Sequence, residues 1–323
     1  AVGRRIAAHD LQEWVELLSE GLDETDRLAI RTHHPRWIVA AYEKVLQENE
    51  VAQALEANNL APRPTLVMRP GLAEVEELAP AIPTVYSPFG AVLDGAPGDL
   101  AAVKEGRAGV QDEGSQLVCL ALTRVEAPNG PWLDLCAGPG GKSALLAGLA
   151  RQRGEHLVAN EVAAHRAKLV EQTLAVYPPG TASVICSDGR DPEPVRQHGP
   201  FARIMVDAPC SGLGALRRRP EARWRRTPAD LAELVSLQRA LLETAIGLLV
   251  PGGVVAYVTC SPHADETAAI VEAALRSNPH LELLDAAALL PEVPGAARGG
   301  YVQLWPHRHG TDAMFLALLR GTS

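Results

Sequence analysis

The sequence has 323 residues, of which 47% are hydrophobic and 21% charged, and its formal net charge is −9. This composition is typical of a folded globular protein with room for about two domains, and it excludes the disordered and fibrous classes. The excess of acidic residues, taken alone, argues against a protein that coats nucleic acid without specificity.

The distribution of charged and apolar residues narrows the class further. The whole negative excess falls in residues 1–115, which contain 19 acidic and 10 basic residues, whereas residues 116–323 contain 20 of each. No apolar stretch is long enough for a membrane span, and residues 1–5 do not resemble a signal peptide. The five cysteines show no C-x-x-C spacing, which argues against a disulfide framework and against a zinc site. We therefore expect a cytoplasmic protein that neither spans a membrane nor binds a metal.

The N-terminal part of the chain predicts helices followed by a segment rich in loops. Apolar residues recur at helical spacing in residues 1–60, which we interpret as a helical connector. Frequent prolines make residues 61–98 rich in loops, with short strands predicted at Thr65–Met68 and Thr84–Tyr86. We expect residues 61–116 to form a small α/β subdomain.

From residue 117 onward the pattern changes to strands that alternate with helices. This alternation predicts an α/β fold, a doubly wound parallel sheet with helices on both faces, over residues 117–323. In such a sheet, ligands bind at the carboxyl ends of the strands. In chain order the predicted elements are the strand Trp132–Leu135, the helix Ser143–Arg153, the strand His156–Asn160, the helix Ala163–Tyr177, the strands Ser183–Ser187 and Arg203–Val206, the helix Pro228–Leu249, the strand Val254–Thr259, the helix Ala264–Ser277 and the strands Leu281–Leu284 and Met314–Leu319.

A glycine-rich turn follows the first of these strands, where backbone N–H groups can approach a ligand closely. The segment Asp134–Ser143 does not match a P-loop, because Cys136 stands where that pattern needs glycine. It matches the dinucleotide pattern only in part, through Gly138 and Gly140. Glu161 ends the second strand, where a carboxylate can bind ribose hydroxyls. The segment favours a cofactor that contains a nucleoside. The alternative is a turn that only connects the strand to the helix and binds no ligand.

Further acidic residues and two cysteines follow strands at the same predicted edge. Asp188 and Asp207 come at the ends of the third and fourth strands. Cys210 follows the fourth strand and Cys260 the fifth, both on loops rich in glycine and serine. A free cysteine is most often buried and inert, but two of them at one edge beside three carboxylates indicate a reactive site.

An arginine-rich segment lies just beyond Cys210, where it interrupts the alternation of strands and helices. Its arginines accompany Trp224. Arginines bind phosphates and aromatic side chains stack on bases, so the segment indicates contact with nucleic acid, and a solvated charged face is the alternative. The candidate RNA-binding residues are Arg217, Arg218, Arg219, Arg223, Arg225 and Arg226.

Together these segments resemble the RsmB/Sun family of S-adenosylmethionine-dependent RNA cytosine-5 methyltransferases, from about residue 30 to the end. Three motifs carry the resemblance, namely Asp134–Lys142, Asp207–Gly214 and Thr259–Ser261. The pairing of a Pro-Cys with a Thr-Cys motif is specific, because DNA cytosine methyltransferases use the Pro-Cys cysteine alone. The sequence departs from the family at Glu161, where Asp is frequent, and at Ala313–Phe315, where Gly-Phe-Phe is frequent. Supporting matches are His34–Trp37, Gly109–Gln116 and Pro306–Asp312.

The resemblance implies a Rossmann-like class I methyltransferase sheet, S-adenosyl-L-methionine as cofactor, and RNA as substrate and partner. Small-subunit (16S) ribosomal RNA is the expected RNA, and a monomer is expected. By resemblance, Cys260 is the nucleophile, Cys210 assists product release, and Asp207 lies between the cofactor methyl group and the target base. Glu161 is assigned to the ribose hydroxyls and Asp188 to the adenine side. The remaining residues assigned to the cofactor are Cys136, Ala137, Gly138, Pro139, Gly140, Gly141 and Lys142.

Two other functions stay open at this point. The first is a Rossmann methyltransferase that acts on tRNA, DNA or protein, and the second is a non-catalytic RNA-binding factor that kept the fold. Intact Cys210, Cys260 and Lys142 argue against the second. Bacterial members of the family often begin with a NusB-like RNA-binding domain, and Ala1–Ile6 resembles the last helix of that domain.

Overall fold

The computed structural model describes residues 7–322, and its N-terminal part is helical, as predicted. The carboxylates of Asp10 and Asp23 cap the first two helices by accepting hydrogen bonds from backbone N–H groups. Ala1–Ile6, which the resemblance assigns to a NusB-like domain, lies outside the described residues. The helices of this part are α1 (Leu11–Ser19), α2 (Glu24–Thr32), α3 (Arg36–Glu43) and α4 (Glu48–Ala57).

These N-terminal helices pack against a distant part of the chain. Tyr42 on α3 is fully buried, and its hydroxyl donates a hydrogen bond to the carbonyl oxygen of Leu213 at 2.9 Å. The Tyr42 ring meets the ring of Trp305 edge-on, with 5.7 Å between centroids. Because Leu213 lies only three residues after Cys210, the N-terminal helices support the loop that carries this cysteine.

A small antiparallel sheet follows the helices. Its four strands are β1 (Thr65–Met68), β2 (Ile82–Pro83), β3 (Gly90–Val92) and β4 (Ala108–Val110), which lie in the order β2-β3-β1-β4. The strand predicted at Thr65–Met68 is confirmed. The strand predicted at Thr84–Tyr86 is wrong, because the backbone N–H groups of Tyr86 and Ser87 donate to the carboxylate of Glu113 instead of to a neighbouring strand. The helix α5 (Ala101–Lys104) comes between β3 and β4 in the chain.

The rest of the chain forms one large sheet with flanking helices. Helix α6 (Glu113–Arg124) runs through the predicted subdomain boundary at residue 116 and is buried along most of its length. The elements are α6 (Glu113–Arg124), β5 (Trp132–Asp134), α7 (Gly141–Gln152), β6 (Leu157–Asn160), α8 (Ala164–Leu174), β7 (Ala182–Ile185), α9 (Glu193–Arg196), β8 (Phe201–Asp207), α10 (Ala222–Arg225), α11 (Pro228–Ile246), β9 (Leu249–Thr259), α12 (Ala268–Ser277), β10 (Leu281–Leu284), β11 (Ala297–Arg298), β12 (Tyr301–Gln303), α13 (Pro306–His309) and β13 (Phe315–Gly321).

The large sheet is only partly parallel, which corrects the prediction. Strands β7, β6, β5, β8 and β9 are neighbours in that order and run parallel. Strand β13 pairs antiparallel with β9, and its other edge pairs antiparallel with β12 at one end and with β10 at the other. The link from β12 to β13 holds only the single-turn α13, too little for the crossover that a parallel pair requires.

Helices cover both faces of this sheet, as predicted. One core cluster contains Leu117 of α6, Leu145 of α7 and Val170 of α8, and the other contains Leu242 of α11 and Ile270 of α12. With both faces covered, only the ends of the strands remain for a ligand, and the carboxyl ends of β5, β8 and β9 lie side by side. Within the described part of the chain, no helix is both long and apolar enough to cross a membrane.

Candidate active site

Two cysteines meet at the carboxyl ends of β8 and β9. The sulfur atoms of Cys210 and Cys260 lie 3.4 Å apart, and we call these two residues the cysteine pair. Strands β8 and β9 are parallel neighbours that pair Asp207 with Val258, so the loops after them leave the sheet together. Both cysteines are half-buried. The structure thus brings together two predicted residues that are 50 positions apart in the sequence.

The two thiols of the cysteine pair differ in acidity. The hydrogen bond from the Cys210 thiol lowers the pKa of Cys260, because it stabilises the Cys260 thiolate. The same hydrogen bond, together with burial, raises the pKa of Cys210 well above its usual value. Cys260 is therefore the member of the pair that is suited to act as a nucleophile, while Cys210 keeps its proton.

Removing the Cys210 thiol should make Cys260 less reactive near neutral pH. In Cys210→Ala, loss of the hydrogen bond raises the pKa of Cys260, so the midpoint of its alkylation by iodoacetamide should move up by roughly one pH unit. Peptide mapping by mass spectrometry across a pH series measures this shift. The exposed Cys186 is the internal control, and its alkylation profile should not change. An unchanged Cys260 profile would contradict the assignment of Cys210 as the hydrogen-bond donor.

An ion pair lies beside the cysteine pair. The Nζ atom of Lys142, on the first turn of α7, is 2.8 Å from Oδ2 of Asp207, the last residue of β8. Burial acts to lower the pKa of Lys142, but the Asp207 carboxylate outweighs it and holds this pKa above its usual value. The lysine thus keeps its positive charge, which lowers the pKa of Cys260, while the Asp207 carboxylate raises that pKa by a larger amount. The low pKa of Cys260 therefore comes mainly from the Cys210 hydrogen bond rather than from this ion pair.

The glycine loop between β5 and α7 folds closely against Glu161. The Glu161 carboxylate accepts hydrogen bonds from the N–H groups of Gly138 and Ala163, both at 3.0 Å. A Cβ atom at Gly138 would lie 2.2 Å from Oε2 of Glu161, so any other residue there would displace this carboxylate. Gly140 has a φ of 112°, in the left-handed region that favours glycine. The side chain of Arg166, which the sequence did not single out, donates to the carbonyl oxygen of Gly138.

The other predicted loop residues lie around this turn. Ala137 is buried, and its N–H donates to the carbonyl oxygen of Asn160 at 2.8 Å. Burial raises the pKa of Cys136 well above its usual value, so this cysteine is not a reactive thiol. Pro139 is exposed and Gly141 begins α7. The loop therefore offers mainly backbone groups and shape rather than reactive side chains.

Asp134, at the end of β5, is a buried acid under the glycine loop. One carboxylate oxygen accepts a hydrogen bond from the Ser143 hydroxyl at 2.7 Å, and the other has no hydrogen-bond partner among the described residues. Burial raises the pKa of Asp134 to about 7. Asp134 is thus a buried acid that Ser143 holds in place beneath the glycine loop.

Asp188 lies farther along the same edge, in the loop after β7. Its carboxylate accepts two hydrogen bonds from the Arg190 side chain at 3.0 and 2.5 Å. The hydrogen bond from Arg190 lowers the pKa of Asp188 to about 2. Asp188 is half-buried, and with this lowered pKa it remains charged at any physiological pH.

The six predicted RNA-binding arginines fall into two groups. Arg217 and Arg223 point into the protein, and the guanidinium of Arg223 donates to the backbone of His33 and Asn58. This placement does not fit the predicted contact of these two residues with RNA phosphates. Arg218 is exposed but pairs with Asp312, which is itself buried. The fully surface-facing members are Arg219, Arg225 and Arg226, next to Trp224, whose side chain is 66% exposed.

Arg217 belongs to a cluster of buried charges that the sequence did not indicate. Its guanidinium contacts Asp112 at 2.6 Å and Asp312 at 3.0 Å, and Asp112 also accepts a hydrogen bond from the backbone N–H of Asp312. The two carboxylates are almost fully buried. The cluster ties the start of α6, the loop beyond Cys210 and the loop before β13 to one another.

Residues 7–322 contain no group of three or more His, Cys, Asp or Glu side chains arranged to hold a metal ion. Of the two histidines near the C-terminus, His309 accepts a hydrogen bond from the backbone N–H of Trp305, and His307 lies 3.7 Å from the Glu50 carboxylate. Both side chains thus make contacts within the protein.

Comparisons with known proteins agree with this geometry. Residues 120–320 match the family model described as 16S rRNA methyltransferase RsmB/F. A Mycobacterium tuberculosis protein named as a methyltransferase, Rv1407, is 50% identical over 330 residues, which cover 98% of this chain and 70% of the relative. The ribosomal RNA small subunit methyltransferase B of Vibrio cholerae is 35% identical, with coverage of 93% and 68%.

Among solved structures, the crystal structure of PH0851 superimposes with a TM-score of 0.79 at 26% identity, covering 92% of this chain and 68% of that one. The sheet with its flanking helices is thus the Rossmann-like fold of methyltransferases. From the match over residues 120–320 and the identity to these relatives, we conclude that the chain belongs to the RsmB/F family of RNA methyltransferases.

Proposed function

We propose that this protein transfers a methyl group from S-adenosyl-L-methionine to carbon 5 of a cytosine in small-subunit ribosomal RNA. The observation that carries the proposal is the cysteine pair, with its 3.4 Å separation and its unequal thiol acidities, next to the Lys142–Asp207 ion pair. Membership of the RsmB/F family supports RNA as the substrate class, and the V. cholerae relative supports the small subunit.

The residues around the glycine loop fit this cofactor. The loop can approach it closely because Gly138 and Gly140 leave no side chain in the way. The Glu161 Oε2 atom accepts from Gly138 and lies 3.6 Å from the Arg166 guanidinium, while Oε1 accepts from Ala163 and keeps a further acceptor position for a ribose hydroxyl. Asp188 is assigned to the adenine side. When bound, S-adenosylmethionine supplies a methyl group on a sulfonium, which is open to attack by a carbon nucleophile.

Methylation of cytosine requires covalent catalysis, because carbon 5 of the free base is too weak a nucleophile to attack the methyl group. The Cys260 thiolate attacks carbon 6 and forms a C–S bond, which moves the electron pair of the 5,6 double bond to carbon 5 and makes it nucleophilic. In this proposal Asp207 lies between the cofactor methyl group and the base, where it can hydrogen-bond near N3 and N4 and stabilise the protonated ring. After carbon 5 has gained the methyl group, a base from solvent takes the carbon 5 proton, and the C–H electron pair re-forms the 5,6 double bond. The C–S bond then breaks, and Cys260 leaves with its electron pair as a thiolate.

Cys210 is suited to the last of these steps. Its protonated thiol lies beside the Cys260 sulfur and can stabilise the departing thiolate by the same hydrogen bond that lowers the pKa of Cys260. This role needs a neutral thiol, and both the hydrogen bond and burial keep Cys210 protonated. The two cysteines thereby divide bond formation and bond cleavage between them.

The exposed arginines are the proposed contacts to the RNA backbone. Arg219, Arg225 and Arg226 lie on the surface beyond Cys210, and the exposed Trp224 ring among them offers a stacking surface. A target base must leave its stack before a thiolate can reach carbon 6, so a loop or an opened helix is the expected RNA structure.

Neutralising these three arginines should weaken RNA binding and its dependence on salt. In the triple variant Arg219→Gln, Arg225→Gln, Arg226→Gln, the slope of log affinity against log salt should become shallower by roughly two, if each arginine contacts one phosphate. Fluorescence anisotropy with a labelled RNA over a salt series measures the slope. The control variant changes three exposed arginines near the opposite end of the sheet, Arg151→Gln, Arg196→Gln and Arg276→Gln. It should have the same salt slope as the wild-type protein. Equal slopes in the two variants would remove the arginine segment from the RNA interface.

The function itself is tested by the product. Bisulfite sequencing of small-subunit ribosomal RNA from cells with and without this protein should reveal one or more cytosines that are methylated only in its presence. Transfer of radiolabelled methyl groups to purified RNA, DNA and protein pools tests the substrate class. Labelling confined to tRNA, DNA or protein would replace the proposed substrate, and no labelling, together with no binding of S-adenosylmethionine by calorimetry, would indicate a non-catalytic RNA-binding factor.

A further inference from the structure

A buried carboxylate joins the two loops that carry the cysteine pair. Glu266 is fully buried, and its Oε1 atom accepts a hydrogen bond from the backbone N–H of Ser211 at 2.7 Å. Its Oε2 atom accepts one from the hydroxyl of Ser261, also at 2.7 Å. Ser211 directly follows Cys210, and Ser261 directly follows Cys260. One side chain therefore binds the residue next to each reactive sulfur.

The same side chain makes further contacts within this loop pair. The Ser211 hydroxyl donates to Oε2 and lies 3.1 Å from the Ser261 hydroxyl. The amide of Gln238, on α11, donates to Oε1 at 3.1 Å and to the carbonyl oxygen of Pro209 at 2.9 Å. Among residues 7–322, no Lys or Arg side chain forms an ion pair with Glu266.

A carboxylate without a cation is costly to bury unless hydrogen bonds satisfy it. Here the hydrogen bonds come mainly from the two serines, so the carboxylate is satisfied only while both loops hold their positions. A displacement of either loop would leave a buried acceptor without its donor, which is unfavourable. The network therefore fixes the separation of the loops rather than only filling space.

We propose that Glu266 is a positioning residue that holds the loops after β8 and β9 together and thereby keeps the Cys210 thiol in contact with the Cys260 sulfur. The inference rests on the proposed roles of the two cysteines. The Glu266 carboxylate also helps to keep Cys210 protonated. The hydrogen bond with Cys260 and burial raise the pKa of Cys210, and the nearby Glu266 carboxylate raises it further. A protonated Cys210 is the form that donates to Cys260.

The test is Glu266→Gln, which keeps the shape but removes the charge and two of the acceptor positions. Without the fixed loops and the charge, the pH midpoints for iodoacetamide alkylation of Cys210 and Cys260 should move toward each other. The kcat for methyl transfer should fall by roughly 10- to 100-fold, with the KM for S-adenosylmethionine within about twofold, because a displacement near 1 Å has this cost. The alkylation result does not depend on any RNA substrate, so it separates a failure of this inference from a failure of the proposed function.

Glu155 provides the matched control. It is a largely buried carboxylate that accepts hydrogen bonds from Gly130 and from the Trp132 ring N–H, at the opposite end of the strands. Glu155→Gln should leave both alkylation midpoints and the kcat unchanged. If Glu266→Gln does not fold, Ser211→Ala and Ser261→Ala remove single contacts to Glu266 and should shift the midpoints in the same sense by a smaller amount. Wild-type midpoints and kcat in folded Glu266→Gln would overturn the proposal.

Discussion

Cys260→Ala should abolish methyl transfer to RNA, with a loss in kcat of at least about 1000-fold. The physical reason is that the thiolate supplies the electron pair that makes carbon 5 of cytosine nucleophilic. Among the described cysteines at this edge of the sheet, no other has a thiol with a lowered pKa that could replace it. Binding of S-adenosylmethionine should persist, since the glycine loop and Glu161 are untouched. Initial rates with radiolabelled methyl donor, together with calorimetric titration of the cofactor, separate the two effects.

The companion variant Cys210→Ala should fail at a different step. Cys260 can still attack the base, but release lacks its hydrogen-bond donor, so a covalent complex of protein and RNA should accumulate and survive a denaturing gel. The double variant without both thiols should give no such complex. The control Cys186→Ala changes an exposed cysteine and should keep full activity. Full activity in Cys260→Ala would rule out the covalent mechanism.

Arg217→Met should destabilise the protein by about 3 kcal/mol, because it leaves two buried carboxylates with less compensating charge. Arg217 is the residue that contacts both Asp112 and Asp312, while Arg218 reaches only Asp312. Methionine retains much of the apolar length of the side chain, so the loss reflects the charge and hydrogen bonds rather than a cavity. Urea denaturation followed by circular dichroism gives the free energy of unfolding.

The neighbouring Arg219 offers a control two positions away. It is exposed, and Arg219→Met should change the free energy of unfolding by no more than about 0.5 kcal/mol. RNA affinity should show the opposite ranking. Arg219→Met should weaken RNA binding more than Arg217→Met does, because Arg219 is the proposed phosphate contact and Arg217 is not. Equal stability of the two variants would show that the buried charge cluster is not needed to hold the loops.

Local sequence patterns were sufficient to predict individual strands and helices, because these elements depend mainly on residues that are close together in the sequence. The strand Leu281–Leu284 is confirmed to the residue, and the predicted strand and helix around the glycine loop differ from the structure by one or two residues. The approach of Cys210 to Cys260 also followed from the sequence, because parallel neighbouring strands end at one edge of the sheet.

Contacts between distant parts of the chain could not be predicted in this way. The arginines of the segment beyond Cys210 look alike in the sequence, yet Arg217 is buried because Asp112, 105 positions earlier, faces it. Glu266 follows Cys260 by only six positions, but its importance depends on Ser211, 55 positions away. Likewise, nothing local to β13 indicates that it lies antiparallel to β9.

The buried charge cluster has a consequence for the order in which the molecule folds. It joins Asp112 to Asp312, which are 200 positions apart, and both to Arg217, in the loop after the first cysteine. Closing such long loops costs much chain entropy before any contact is gained, so contacts of this kind form late. The parallel strands can therefore assemble before the cysteine loops reach their final shape. An organised site therefore requires these long-range contacts in addition to the paired strands.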